Sequence, residues 1–407
     1  MNLIGKLFRI GLAVAGCGQF GLRAADDTDA SFSDADADLW EELQALPPEL
    51  ADALPDDLRV LLEEMKPGAW QTLLTTSAAL GYRENVGLNP VVPEAASFGQ
   101  LRIEALAMRQ PAGGWEWTAI LDGQARWYDD NPVTDDEHFW FGRGEVGWTP
   151  WAPLRFALTA QGFWQDQVID LTESIGVRTV ADLQVAGGEA GAGMRLSLWG
   201  GFSVEGTASF SRIDYRGVAE DHVGWIRKGE LVWSPAAWLT LGVGMGDTER
   251  DYDFRGEATK GGRVIADTIL AYDQLNEQAR MTLKWDKAGD WELEVKGSRF
   301  ENRDGASGFY DYDRERWDAT LSWEIARWEF RVDWEQQDIA YLWQTVGAGL
   351  TPAGRQQVDK TWEVDVAYRW GNHWEIFGQF STDRSFSNEV DSSYQDRTFL
   401  LGSAFTF

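Results

Sequence analysis

The chain has 407 residues, 44% hydrophobic and 13% aromatic, and a formal net charge of −30. That sign excludes nucleic-acid binding, and no apolar run approaches the ~20 residues that a spanning helix needs. Six Met and a single Cys offer no redox or thiolate chemistry to build on.

Residues 1–24 read as an export signal, with Lys6 and Arg9 first, then apolar Ile10 to Ala15, then small residues. Leu22-Arg23-Ala24 offers a cleavage site before Ala25. Val14-Ala15-Gly16-Cys17 instead resembles the lipobox of bacterial lipoproteins, which would leave Cys17 lipidated. Both readings stay open, and both take the chain out of the cytoplasm. Residues 25–68 carry 14 acids against Arg59 and Lys66. The run from Ala25 to Asp38 predicts a disordered linker. Leu39, Trp40, Leu43 and Leu46, then Leu54, Leu58, Leu61 and Leu62, predict two short amphipathic helices on the periplasmic side. A spacer, a plug and a docking segment for a periplasmic partner all fit this stretch.

From residue 69 onward the pattern changes to period two. Trp115, Trp117, Ala119, Leu121, Gly123, Ala125 and Trp127 fall on one face, while Glu116, Thr118, Asp122, Gln124 and Arg126 fall on the other. Such alternation marks a strand with lipid on one side and water on the other. The same reading gives strands at 71–86, 98–110, 115–127, 137–149, 153–167, 178–199, 202–215, 222–234, 238–252, 274–286, 290–303, 312–324, 327–340, 358–370, 373–385 and 394–407. The expected fold is therefore all-β, a transmembrane antiparallel barrel of about sixteen strands behind a short helical periplasmic segment. Gly187 to Gly193 could hide a break, so fourteen and eighteen strands stay open.

Tryptophans punctuate the turns. The pairs Trp148/Trp151, Trp233/Trp238, Trp285/Trp291, Trp323/Trp328 and Trp370/Trp374 each straddle a short turn, and Trp115 and Trp199 mark two more. Indole favours the headgroup level, so these rings predict an interfacial girdle. An even strand number puts both ends of the barrel on one side, which makes the Trp-flanked turns periplasmic. The longer connections 253–273 and 341–357 then face outward. Phe399, Leu401, Phe405 and Phe407 share a face, and Phe405 and Phe407 resemble the terminal signal that outer-membrane barrels present to their assembly machinery.

With apolar residues on the lipid, the opposite faces line the lumen. The pore-lining candidates are Arg126, Arg143, Glu145, Glu294, Arg316, Asp318, Glu329, Arg331, Asp333, Glu363 and Asp365. They fit two readings, cross-strand ladders that brace the wall and a charged constriction. Outer loops carry Asp129, Asp130, Asp135 and Asp136, then Asp166, Asp170 and Glu173, then Glu389 and Asp391. An acidic rim attracts cations, and divalent bridging to lipopolysaccharide explains it equally well. No metal site, cofactor or catalytic motif is expected. Of the three histidines, His373 sits in a turn, while His138 and His222 stand beside acids at outer strand ends. Those two are the only hint of rim chemistry, and the chain is not expected to be an enzyme.

Gly81-Tyr82-Arg83-Glu84-Asn85-Val86, with Phe98 opening the second strand, resembles the start of a diffuse group of Gram-negative outer-membrane barrel porins, some linked to exopolysaccharide operons. The resemblance implies an outer-membrane location and a porin-like or export role, without catalytic residues. The segment 25–68 is too short for the helical repeats that many exopolysaccharide export barrels carry. Its expected surroundings are outer-membrane lipid and lipopolysaccharide.

Overall fold

The computed structural model describes residues 70–171, 180–285, 289–347, 352–390 and 392–407. The predicted signal, Cys17 and the acidic segment 25–68 lie outside the described residues. Sixteen strands form in chain order: β1 (Trp70–Arg83), β2 (Ala96–Ala112), β3 (Trp115–Tyr128), β4 (Asp136–Trp151), β5 (Leu154–Asp170), β6 (Val180–Ser197), β7 (Phe202–Arg216) and β8 (His222–Ala236). They continue as β9 (Leu239–Tyr252), β10 (Ala271–Trp285), β11 (Asp290–Asp304), β12 (Tyr312–Ile325), β13 (Trp328–Val346), β14 (Ala353–Arg369), β15 (Trp374–Ser387) and β16 (Tyr394–Thr406). Each pairs antiparallel with its sequence neighbours, and β1 closes on β16 from Thr75↔Thr406 to Arg83↔Thr398. Closure leaves no edge, so the backbone groups of the wall find partners inside the sheet.

The predicted strands all appear, with differences at their outer ends. β6 runs unbroken through Gly187–Gly193, paired with β5 and β7 along that length. The connection expected at 341–357 is mostly strand, because β13 reaches Val346 and β14 begins at Ala353. Tyr341 and Gln344 are buried there, so the hairpin keeps a packed face above the wall. β1 ends at Arg83 rather than Val86. Asn85 diverts the chain: its side-chain amide donates to the Asn89 carbonyl at 2.9 Å, and the Asn89 amide donates back to its Oδ1 at 2.8 Å.

Facing residues carry the alternation from strand to strand and build two aromatic rows on the outer surface. At the short-turn end, Trp115 stacks on Trp148 at 5.7 Å, Trp285 on Trp291 at 5.8 Å, and Trp291 on Trp323 at 4.6 Å. Trp151, Trp233, Trp238, Trp328, Trp370 and Trp374 are exposed at the same end. A second row, which sequence reading did not single out, comprises Trp127, Trp140, Trp164, Trp225 and Trp317 toward the outer strand ends. Strands rise ~3.4 Å per residue and tilt by ~40°, so each residue climbs about 2.6 Å. The eight residues between Trp148 and Trp140 then span roughly 21 Å, close to the ~25 Å apolar band of such barrels.

The resemblance motif has a packing role. Gly81 lies opposite Phe98, whose ring covers it, and a Cβ on Gly81 would collide with that ring. Val86 and Phe98 are buried with Tyr128 in the cluster that ties β1, β2 and β3 together. Gly81→Val is expected to destabilise the barrel by roughly 1–3 kcal/mol through overpacking, measured as a lower urea midpoint for unfolding from liposomes. Adding Phe98→Ala should recover part of the loss. A Gly81→Val midpoint equal to wild type would sink this account of the motif.

Candidate functional site: the lumen and its outer mouth

Alternation places all the predicted pore-lining residues on the inner face, and the structure shows how they are held. Arg143 pairs with Glu145 at 2.8 Å, and Arg155 bridges Glu145 at 2.6 Å and Glu116. Arg316 reaches Asp318 at 2.7 Å and Glu335 at 3.0 Å. Arg331 holds Asp333 at 2.6 Å, and Thr320 donates to the same carboxylate at 2.6 Å. Arg126 donates to Gln100 at 2.8 Å and lies 3.8 Å from Glu137. Glu329 and Glu324 both face Arg369 at 3.6 Å. Arg143–Glu145, Arg316–Asp318 and Arg331–Asp333 run along one strand, while the other contacts cross between strands as ladders of the kind that brace a sheet.

The ladders do not neutralise the wall evenly. On β1–β5, inward Arg83, Arg102, Arg126, Arg143 and Arg155 meet Glu104, Glu116, Asp122, Glu137 and Glu145. On β11–β15 the inward bases are Lys296, Arg314, Arg316, Arg331, Arg355 and Arg369. They are outnumbered there by Glu292, Glu294, Asp318, Glu324, Glu329, Asp333, Glu335, Asp359, Glu363, Asp365, Glu375 and Asp383. Asp333 lies directly opposite Glu363, a like-charge pair on neighbouring strands. Gln379 donates to Glu363, and Arg331 lies opposite Asp365. A groove along this surface is lined by Gln100, Arg102 and Glu104 from one side and by Glu363, Asp365 and Gln379 from the other.

The outer mouth is narrowed by two packed blocks. On the first side, buried Arg83 binds Asp396 at 2.6 Å and Glu137 at 3.1 Å, and Tyr128 donates to Glu137 at 2.7 Å. β5 leaves β4 after the pair His138↔Asp166 yet stays paired with β6 up to Asp170↔Val180. Its tip therefore leans inward: the Val168 amide reaches the Glu137 carboxylate, and Asp170 hydrogen-bonds the Tyr394 phenol on β16.

On the second side, the β9–β10 connection folds over the lumen. Arg255 is buried, pairs with Glu220 at 2.9 Å, and lies 4.3 Å from the Tyr310 ring centre and 5.1 Å from that of Tyr252. Ala258 and Leu270 are fully buried beside these tyrosines. Lys260 sits 3.8 Å over Trp343, and Ser307 donates to the Ala258 carbonyl at 2.5 Å. Burial holds the Glu220 carboxyl above its usual range even with Arg255 beside it. Nothing in the local spacing of the sequence marks Arg255, because Glu220 and Tyr310 come from two other connections and Tyr252 from the end of β9.

The two rim histidines are not brought together. His138 shares the outer face with Trp164, 6.0 Å away, and lies 3.4 Å from Asp136. His222 is buried on the inner face, its Nδ1 2.7 Å from the Glu220 carbonyl and its ring against Tyr252. His373 lies in a short turn with Nδ1 2.8 Å from the Thr406 carbonyl. Of the rim acids, Glu173 and Asp391 lie outside the described residues, while Asp170 belongs to the inward-leaning tip. Among the described residues no group of acidic, histidine or cysteine side chains is arranged to hold a metal.

No protein-family model matches the chain, and no curated protein matches it. Solved structures do. The anion-selective porin from Comamonas acidovorans is 8% identical over 83% of this chain and 99% of its own, with a TM-score of 0.43. OccAB3 of Acinetobacter baumannii is 10% identical over 84% and 100%, with a TM-score of 0.43. A bacterial polysaccharide outer membrane secretin is 9% identical over 83% and 97%, with a TM-score of 0.40. Closure of sixteen strands, an apolar wall between two aromatic rows and a charged lumen together give this chain the fold of an outer-membrane-type transmembrane β-barrel.

If Arg255 anchors the second block, Arg255→Gln should loosen it, because breaking a buried ion pair costs about 3–5 kcal/mol. Trypsin cleavage at Lys260 and Arg263 in proteoliposomes is then expected to speed up at least about tenfold, with the unfolding midpoint of the barrel little changed. Equal cleavage rates would show that the block is held by something else.

Proposed function

We propose that the barrel is a passive channel for small solutes, with a preference for cations. The observation that carries this reading is the excess of inward carboxylates on β11–β15, which the bases of those strands do not match. A lumen enclosed by a low-dielectric wall concentrates the field of such a surface and raises the local density of counter-ions. The acids Asp129, Asp130 and Asp135 in the connection above β3 add to the same sign at the mouth. Outward-facing Phe405 and Phe407, in edge-to-face contact 4.7 Å apart at the end of β16, would serve insertion through the barrel assembly machinery. A second reading, an export conduit or a non-conducting anchor, draws its support from the two inward blocks at the mouth. Residues 25–68 would then supply the contact with a periplasmic partner.

Conductance in planar bilayers under a KCl gradient separates these readings. The full-length mature chain is expected to give stable open steps with K⁺ favoured over Cl⁻, and the preference should shrink as salt rises and the Debye length falls from ~10 Å at 0.1 M to ~3 Å at 1 M. Glu363→Gln with Asp365→Asn should lower the K⁺/Cl⁻ permeability ratio by roughly twofold. Anion selectivity would overturn the cation assignment, and silence from a folded barrel would move the weight to a gated conduit or an anchor.

A further inference from the structure

One stretch of the inner wall departs from the polar character of the lumen. Leu73 on β1, Leu106 on β2 and Ile120 on β3 stand in one register row and point inward, with Met108 two residues nearer the periplasm. In the periplasmic half of β4–β11 the inward positions instead include Glu145, Arg155, Glu205, Glu230, Lys284 and Glu292. Leu106 and Met108 are only 5% and 7% exposed, although they line a lumen. The hydrophobic side chains packed on them, Leu73 and Ile120, are neighbours in the wall itself. Wall neighbours shield the flanks of such a side chain, whereas its tip points toward the barrel axis. A cover for the tips has to come from inside the barrel.

The chain carries a matching face of its own. Leu54, Leu58, Leu61 and Leu62 recur at i, i+4, i+7 and i+8, the spacing of one side of a helix. Pro67-Gly68 then supplies a reversal just before Trp70, where β1 begins at the periplasmic end. The eight residues from Leu62 to Trp70 can span up to ~27 Å. Leu73 stands only ~8 Å above Trp70, at about 2.6 Å of climb per residue, so the patch is within reach through the periplasmic opening. Charge favours the same side. Asp56, Asp57, Glu63 and Glu64 outnumber Arg59 and Lys66. The carboxylate-rich wall of β11–β15 therefore repels this segment, and the balanced wall of β1–β5 does not.

We propose that residues 54–66 fold back through the periplasmic opening and lie against the inner wall of β1–β3, with their leucines on Leu73, Leu106, Met108 and Ile120. Apolar surface on both partners is then removed from water, and the segment covers one side of the lumen at its inner end. The proposal stands whether or not the lumen conducts. It competes with the use of the same residues as a contact for a periplasmic partner, because a segment seated here is held away from one.

The test is the rate at which a water-soluble maleimide labels Met108→Cys in the full-length protein in outer membranes, with labelling of the parent chain subtracted. Replacing Leu58, Leu61 and Leu62 together by Asn should speed that labelling at least tenfold, while heat-modifiable migration confirms that the barrel is folded. A second measurement uses cysteine pairs under a mild oxidant. Leu61→Cys with Met108→Cys should form a disulfide within one chain, and Leu61→Cys with Ser322→Cys, inward on β12, should not; each single-cysteine chain is the control. Neither readout depends on conductance. An unchanged labelling rate, a disulfide to position 322 but none to 108, or Leu61→Cys crosslinked only to a second copy or to another protein would each overturn the proposal.

Discussion

The demand that every backbone amide and carbonyl be satisfied without water governs this molecule. An unpaired group in hydrocarbon costs several kcal/mol, so a sheet that crosses a membrane must close on itself. The closing pair β1–β16 meets that demand with the shortest strand of the sheet, Tyr394–Thr406, and the Phe407 amide adds one more bond to the Leu74 carbonyl. Once closure is required, alternation assigns each side chain to lipid or lumen, and the placement of every charge follows from it. A slip of one residue would exchange the two faces.

Closure at sixteen strands also fixes how the lumen can handle charge. The barrel is too wide for its inner side chains to meet as a core, so they pair along the wall instead. Arg102 illustrates the result: it makes a bidentate contact with Asp122, both bonds at 3.0 Å, and holds Glu104 at 2.9 Å. Such a guanidinium is committed to the wall and offers little net charge to a permeant. On β13 and β14, by contrast, three carboxylates, Asp333, Glu363 and Asp365, gather around Arg331. The electrostatic character of the lumen therefore comes from what remains after the ladders are satisfied, and that remainder sits on one side.

The sequence carried the architecture clearly because period-two alternation and turn-flanking tryptophans are local signals. Trp115 to Trp127 announced a strand without reference to anything else in the chain. Strand ends were less legible. β13 and β14 run past the membrane, where lipid no longer imposes alternation and Tyr341 and Gln344 are buried for reasons of packing. The inner faces were readable as faces, but not as pairs, since Arg155 joins Glu116 and Glu145 only through the register of three strands. The mouth was not legible at all. Arg255, Glu220 and Tyr310 come from different connections and Tyr252 from the end of β9, and only the closed barrel brings them to one place.

That last cluster bears on how the mouth of a wide barrel is narrowed. The rim connections are tethered at both ends to a rigid wall, so their freedom is already reduced before they pack. Arg255 needs only to choose among inward positions, and three aromatic faces with one carboxylate make the choice unambiguous. On the other side, the tip of β5 gains the same economy by leaning over Glu137 and reaching Tyr394 five strands away. Both blocks project toward the lumen from the mouth, while the surplus carboxylates lie along the wall below. Under the proposed channel reading, a solute entering from outside would meet a steric limit first and an electrostatic one second, and the two are set by separate residues.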